Sequence, residues 1–283
     1  MTTAHIPIAA ATTVGAVSLT VASLSQAVEF YTSRLGLQVL KRLDEAVHLG
    51  VGSVELLVLH GNLGARRVPR TAGLYHFAIL LPSRRALGAA LKHLIDSGVP
   101  LQGAADHLVS EAIYLADPEG NGIELYHDRD RAEWPVRDGQ IQMATDPLDA
   151  QGVLASAIGA PTNQGLPEGT RMGHIHLHVG DIAEAEAFYH GVLGFDITLR
   201  YGRSASFLSA GGYHHHVAVN TWAGVGAKPN PEGAMGLKEF SVVVPDTAEL
   251  RRIAAITSPL EDNGGDILLR DPSGNAVRIT AGL

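Results

Sequence analysis

Three histidines alternate with apolar residues in the stretch Met172-Gly173-His174-Ile175-His176-Leu177-His178-Val179. Side chains along a strand point to opposite faces in turn, so Ile175, Leu177 and Val179 make one face and the imidazoles the other. A second cluster, Tyr213-His214-His215-His216-Val217-Ala218-Val219-Asn220-Thr221-Trp222, reads as a further strand. With Val217 and Val219 turned to the core, His214, His216, Ala218, Asn220 and Trp222 share the opposite face. Imidazole binds divalent metals and titrates near neutral pH, so such a face can hold an ion or move protons. The chain has no cysteine, which removes thiolate ligands, thiolate nucleophiles and disulfides, and leaves His, Asp and Glu as metal ligands.

The elements that position these residues recur along the chain. After Val179, Asp181 is placed to cap a helix, with Glu184 three residues on in the capping-box pattern. Phe188, Tyr189, Val192 and Leu193 keep helical spacing, and Gly194 stands where the helix stops. Val17, Leu19, Val21, Tyr31 and Gly36 repeat Ile175, Leu177, Val179, Tyr189 and Gly194 at one offset (175 − 17 = 158; 194 − 36 = 158). A repeat without slippage marks a duplicated unit. Tyr75-His76-Phe77-Ala78-Ile79-Leu80-Leu81-Pro82 likewise matches Lys238-Glu239-Phe240-Ser241-Val242-Val243-Val244-Pro245, and the turn Asp117-Pro118-Glu119-Gly120-Asn121 matches Asp271-Pro272-Ser273-Gly274-Asn275. The expected fold is α+β: four βαβββ modules paired into two cup-shaped mixed-sheet domains. Residues 1–130 form the first domain after a loose lead-in over 1–13, 131–170 a linker with a short helix near Leu148–Ile158, and 171–283 the second domain.

Composition narrows the function. A net charge of −8 without a dense Lys/Arg run argues against nucleic acid and anionic membranes. No apolar run is long enough to span a bilayer, and the N-terminus has no signal-peptide layout, so a cytoplasmic location is expected. No Gly-x-Gly-x-x-Gly follows a strand, so no nucleotide loop is supported. The Asp-Pro-x-Gly-Asn segments are expected to set strand register, His107 and Asp106 to serve the surface, and edge strands to invite pairing into a homodimer.

The repeated Phe-Tyr-x-x-x-Leu-Gly-Phe/Leu segments and Asp-Pro-x-Gly-Asn turns give the chain a resemblance to the vicinal oxygen chelate superfamily, which includes glyoxalases, bleomycin-resistance proteins and extradiol dioxygenases. The four-module length and the His-His-His-x-x-x-Asn-x-Trp strand resemble compact bacterial catechol 2,3-dioxygenases. The resemblance implies metal ligands on the first and last strands of each module. Carried over residue by residue, the C-terminal ligand set is His174, His216 (with His214 the other register) and Glu239. Arg278 occupies the last position, where it cannot ligate and can pair with Glu239 or hold an anion. In the N-terminal half the positions fall on Ala16, Glu55, His76 and Glu124. The implied cofactor is a divalent metal, Fe(II) first and Zn, Mn or Ni next, and the implied partners are a catechol-like diol and O2. His176 and His214 are the candidates for proton transfer, with Tyr213, Tyr201 and Arg200 within possible reach. A glyoxalase-type isomerase or lyase, or a drug-binding protein, are the rival functions on this fold.

Overall fold

The structure is a computed structural model and describes residues 5–160 and 165–282. The first module comprises β1 (Thr13–Val21), α1 (Leu24–Glu29), β2 (Gln38–Arg42), β3 (Ala46–Val51) and β4 (Val54–Gly61). The second comprises β5 (Gly73–Leu80), α2 (Arg84–Asp96), β6 (Leu101–Asp106), β7 (Ser110–Ala116) and β8 (Gly122–Asp128). A connecting segment carries β9 (Val136–Arg137), β10 (Gln140–Ile141), β11 (Asp146–Pro147) and α3 (Ala150–Ser156). The third module holds β12 (Arg171–His178), α4 (Ile182–Glu186), β13 (Asp196–Tyr201), β14 (Ala205–Ser209) and β15 (Val217–Asn220). The fourth holds β16 (Gly236–Val244), α5 (Thr247–Ile256), β17 (Glu261–Asp262), β18 (Asp266–Arg270) and β19 (Ala276–Ala281). The fold is α+β with two large mixed sheets, as expected.

One sheet has eight strands in the order β17-β18-β19-β16-β1-β4-β3-β2, and the other nine in the order β11-β6-β7-β8-β5-β12-β15-β14-β13. By contact density the chain divides into two compact units, Met1–Ser18 with Arg67–Tyr75 and His174–Leu283, and Leu19–Arg66 with His76–Gly173. The boundaries of that division fall inside β1, β5 and β12.

Local chemistry explains the repeat. Asp181 caps α4 by accepting from the Glu184 amide at 2.9 Å, and Ser23 caps α1 through Gln26. Both helices end in a π turn, Phe30–Arg34 and Ala187–Val192, that holds a fully buried tyrosine. Gly36 and Gly194 then reverse the chain with φ of 89° and 95°, a region that suits glycine. The Tyr31 hydroxyl donates to Asp117 Oδ2 at 2.9 Å, and Tyr189 donates to Asp271 Oδ2 at 3.1 Å. Each aspartate also accepts from the amides and side-chain amide of its own turn, Asp117 from Glu119 and Asn121, Asp271 from Ser273 and Asn275. The Asp-Pro-x-Gly-Asn turns thus do more than set register: each anchors the helix of the preceding module. Burial, then the neighbouring carboxylate, pushes both tyrosine hydroxyls well above their usual range.

Three expectations change. The lead-in is not loose where it is described: Ile8 is buried, its amide donates to the Gly194 carbonyl at 2.8 Å, and the Ala9 amide to Glu249 at 3.0 Å; Met1–Ala4 lie outside the described residues. The expected linker carries an Asp138-Gly139 hairpin, a short strand β11 paired with β6, and helix α3, which packs on α2 where Gly88 lacks a side chain; its residues 161–164 lie outside the described residues. The expected strand Tyr213–Trp222 is shorter, because Gly211 and Gly212 at φ of 58° and 67° turn the chain and the strand begins only at Val217.

Candidate metal centre

Strands β5 and β8 run parallel, with His76 opposite Gly122 and Ala78 opposite Glu124. Residues two apart share a face, so His76 and Glu124 are diagonal neighbours on one face of the sheet. Gly122 has no side chain to fill the place beside His76. His76 Nε2 lies 3.0 Å from Glu124 Oε2, and both residues are buried. His174, also buried, stands on β12 and belongs to the other compact unit. Ligands about 2.1 Å from an ion at right angles stand about 3 Å apart, which is the His76–Glu124 separation. An imidazole and a carboxylate so placed suit a divalent transition metal, with positions left over for further ligands and substrate. The donor set present fits such an ion.

The structure does not assemble the ligand set carried over from sequence. His174 lies on β12 in the nine-stranded sheet, but Glu239 lies on β16 in the eight-stranded sheet. Arg278 forks onto Glu239, Nε to Oε1 at 2.8 Å and Nη2 to Oε2 at 3.0 Å, so both carboxylate oxygens are engaged. Arg278 also donates to Asp266 at 2.6 Å and to Glu261 at 3.2 Å. Pairing with Glu239 was one of the two roles open to Arg278. His216 is buried, and its Nδ1 accepts the Ala210 amide at 3.1 Å, which leaves the ring proton of a neutral imidazole on Nε2 and no lone pair for an ion. Glu55 lies on β4 of the eight-stranded sheet and pairs with His48, so of the N-terminal set only His76 and Glu124 come together.

The imidazole face of β12 is buried, not solvated: His174 and His176 are both enclosed. The ring nearest His174 within its unit is His215, 4.0 Å away, because His214 and His216 precede β15 in irregular backbone and do not obey strand alternation. His214 Nδ1 lies 2.9 Å from His215 Nδ1, so one proton sits between the two rings. His176 packs among Tyr75, Phe207 and Trp222, with ring centroids 5.0, 5.8 and 5.3 Å away. Arg200 is taken by Glu186, Tyr201 is exposed, and Tyr213 packs against His214 and His216.

Two residues near the centre escaped the sequence reading. His107, expected at the surface, is half-buried; its Nδ1 meets the Ala144 carbonyl at 2.6 Å and its Nε2 the Tyr114 hydroxyl at 2.6 Å. The carbonyl can only accept, so Nδ1 carries the proton and Nε2 accepts from Tyr114. Tyr114 in turn lies beside His76, ring centroids 5.7 Å apart. Their place became visible only in the fold, where Tyr114 and Glu124 lie opposite each other on paired strands.

Comparison with known proteins shows the family. The family model for the Glyoxalase/Bleomycin resistance protein/Dioxygenase superfamily matches residues 13–125 and 171–279. A curated protein of Bacillus subtilis (strain 168) named catechol-2,3-dioxygenase is 46% identical over 274 residues, covering 94% of this chain and 95% of its own. Among solved structures, one from Bacillus subtilis subsp. subtilis str. 168 superposes with a TM-score of 0.64 at 15% identity, covering 98% of this chain and 86% of its own. Glyoxalase I from Zea mays superposes with a TM-score of 0.57 at 16% identity, covering 96% and 92%. At such identities the two structures speak to the fold alone.

Proposed function

The chain belongs to the Glyoxalase/Bleomycin resistance protein/Dioxygenase superfamily, and from that membership we propose that it is an extradiol dioxygenase that opens the ring of a catechol-like diol, using iron(II) with His76 and Glu124 as ligands and His174, the ligand the resemblance implies, as a third. The observation that carries this reading is the buried His76–Glu124 pair, 3.0 Å apart. Together with 46% identity to a named catechol-2,3-dioxygenase, it supports ring cleavage over isomerase chemistry.

When bound, the metal supplies a cationic template for both diol oxygens and an open position for O2. The protein's own groups handle orientation and protons. The carboxylate of Glu124 balances part of the ion's charge in a setting closed to bulk water. Tyr114 gives its hydroxyl proton to His107, which leaves the phenol oxygen as an acceptor for a diol hydroxyl beside His76. The His214–His215 pair, next to His174, is the store for the second diol proton and returns it when the ring opens. This reading assigns His214 the proton-transfer role expected from sequence and adds His215, whose ring lies beside that of His174.

The test is elemental analysis of protein purified without oxygen, followed by an assay for the conjugated ring-opened product. Wild type should carry about one iron per chain and cleave catechol. His174→Ala and Glu124→Gln should lose both metal and turnover, and His216→Ala should keep its metal. Zinc or nickel with oxygen-independent isomerase activity would sink the proposal.

A further inference from the structure

We propose that Trp222 and Tyr75 form a wall that selects catechols bearing an apolar ring substituent; the inference rests on the ring-cleavage reading. His174, His176 and His178 stand at two-residue steps on one face of β12. A run of rings leads along that face. His174 lies 4.0 Å from His215, His215 lies 5.1 Å from Phe207, and Phe207 lies 5.8 Å from His176. His176 then meets Trp222 at 5.3 Å and Tyr75 at 5.0 Å. Trp222 and Tyr75 end the run and are 48% and 41% exposed.

Large aromatic side chains usually cover their faces, and an open pair beside buried histidines is a place for a flat apolar body. The two rings meet at 85° with centroids 5.2 Å apart, so a face and an edge form a corner. That corner can stack one aryl group and contact its edge, the two arrangements aromatic pairs favour. It is also held in place. Asn220 Oδ1 accepts the Trp222 amide at 3.0 Å and faces His178 Nδ1 at 2.7 Å, fixing the strand end that carries the tryptophan. Only 5% of the chain is aromatic, and its other tryptophan, Trp134, is buried elsewhere, so the corner is a local concentration and not a general property.

Two measurements test the proposal. The first is kcat/KM for 4-phenylcatechol relative to catechol. Aromatic contacts of this kind correspond to roughly three- to tenfold in binding. Trp222→Ala should lower the ratio by about that factor, Tyr75→Ala by less, and Trp222→Phe should retain it; an unchanged ratio in Trp222→Ala and Tyr75→Ala overturns the wall. The second needs no turnover. In Trp134→Phe, Trp222 is the sole tryptophan, and titration under argon with 4-phenylcatechol should quench its fluorescence saturably, at least threefold more tightly than catechol does. If Trp134→Phe folds poorly, wild type minus Trp222→Phe isolates the same signal. Cleavage of 4-phenylcatechol without quenching overturns the wall alone. Quenching without cleavage of either compound supports the wall and removes the ring-cleavage reading.

Discussion

Arg278→Met should destabilise the protein by about 2–3 kcal/mol without touching the metal. The guanidinium makes two parallel bonds to Glu239 and one each to Asp266 and Glu261. Exposed ion pairs contribute about 0.2–1 kcal/mol, and breaking a buried pair costs about 3–5 kcal/mol. The Arg278 and Glu239 side chains are 22% and 21% exposed, between those limits, so their fork is worth about 2 kcal/mol after screening. Glu261 is 52% exposed and adds little. Removing the cation also leaves three carboxylates facing one another. Glu239→Gln should cost less, about 1–2 kcal/mol, because Arg278 keeps Asp266 and Glu261. In a double-mutant cycle with E239Q/R278M, urea denaturation should show a coupling of about 1.5 kcal/mol. Metal analysis should find Glu239→Gln fully loaded. A coupling below about 0.3 kcal/mol, or loss of metal in Glu239→Gln, would refute the assignment of this pair as structural.

Tyr31→Phe and Tyr189→Phe should each cost about 1.5–3 kcal/mol in denaturant titrations, since each removes a hydrogen bond to a buried carboxylate; a cost under about 0.5 kcal/mol in either would discount the anchor. Burial holds the Asp271 carboxyl above its ordinary value, against the hydrogen bonds from Asn275, Tyr189 and Ser273 that lower it. As pH rises the unfolded carboxyl ionises first, so the stability due to Asp271 is full below its unfolded value of about 3.9 and lost through the raised folded value. The stability difference between wild type and Asp271→Asn should therefore fall as pH climbs above about 3.9, and a difference that grows would be decisive against it. Gly173→Ala should destabilise by about 1–3 kcal/mol, because a Cβ there meets the Tyr126 hydroxyl; unchanged urea midpoints would show that the strand has room.

Much of the fold was legible in the chain because it depends on local chemistry. Asp181, Gly36 and Gly194 act as cap and stops wherever their segments lie, and the offset of 158 residues reported the duplication without any coordinates. The superfamily and its metal could be read for the same reason: repeated turns and strand-borne histidines are properties of short segments. The backbone of the second histidine cluster could not. Strand alternation placed His214 and His216 on one face, but the strand begins only at Val217, and it is the His215 ring whose centroid lies 4.0 Å from that of His174.

Glu239 takes the place in its module that His76 takes in the second, and Arg278 the last-strand place that Glu124 takes, so equivalent positions carry different chemistry in the two modules. The sequence by itself determined four βαβββ units, their caps and turns, and a histidine-rich centre without thiols. Only the tertiary structure decided that His76 and Glu124 come side by side on β5 and β8, buried and 3.0 Å apart, while Glu239 is held by Arg278. The physical reason is that strand edges pair through backbone groups every module has alike, so the choice of partner rests on packing across the whole chain.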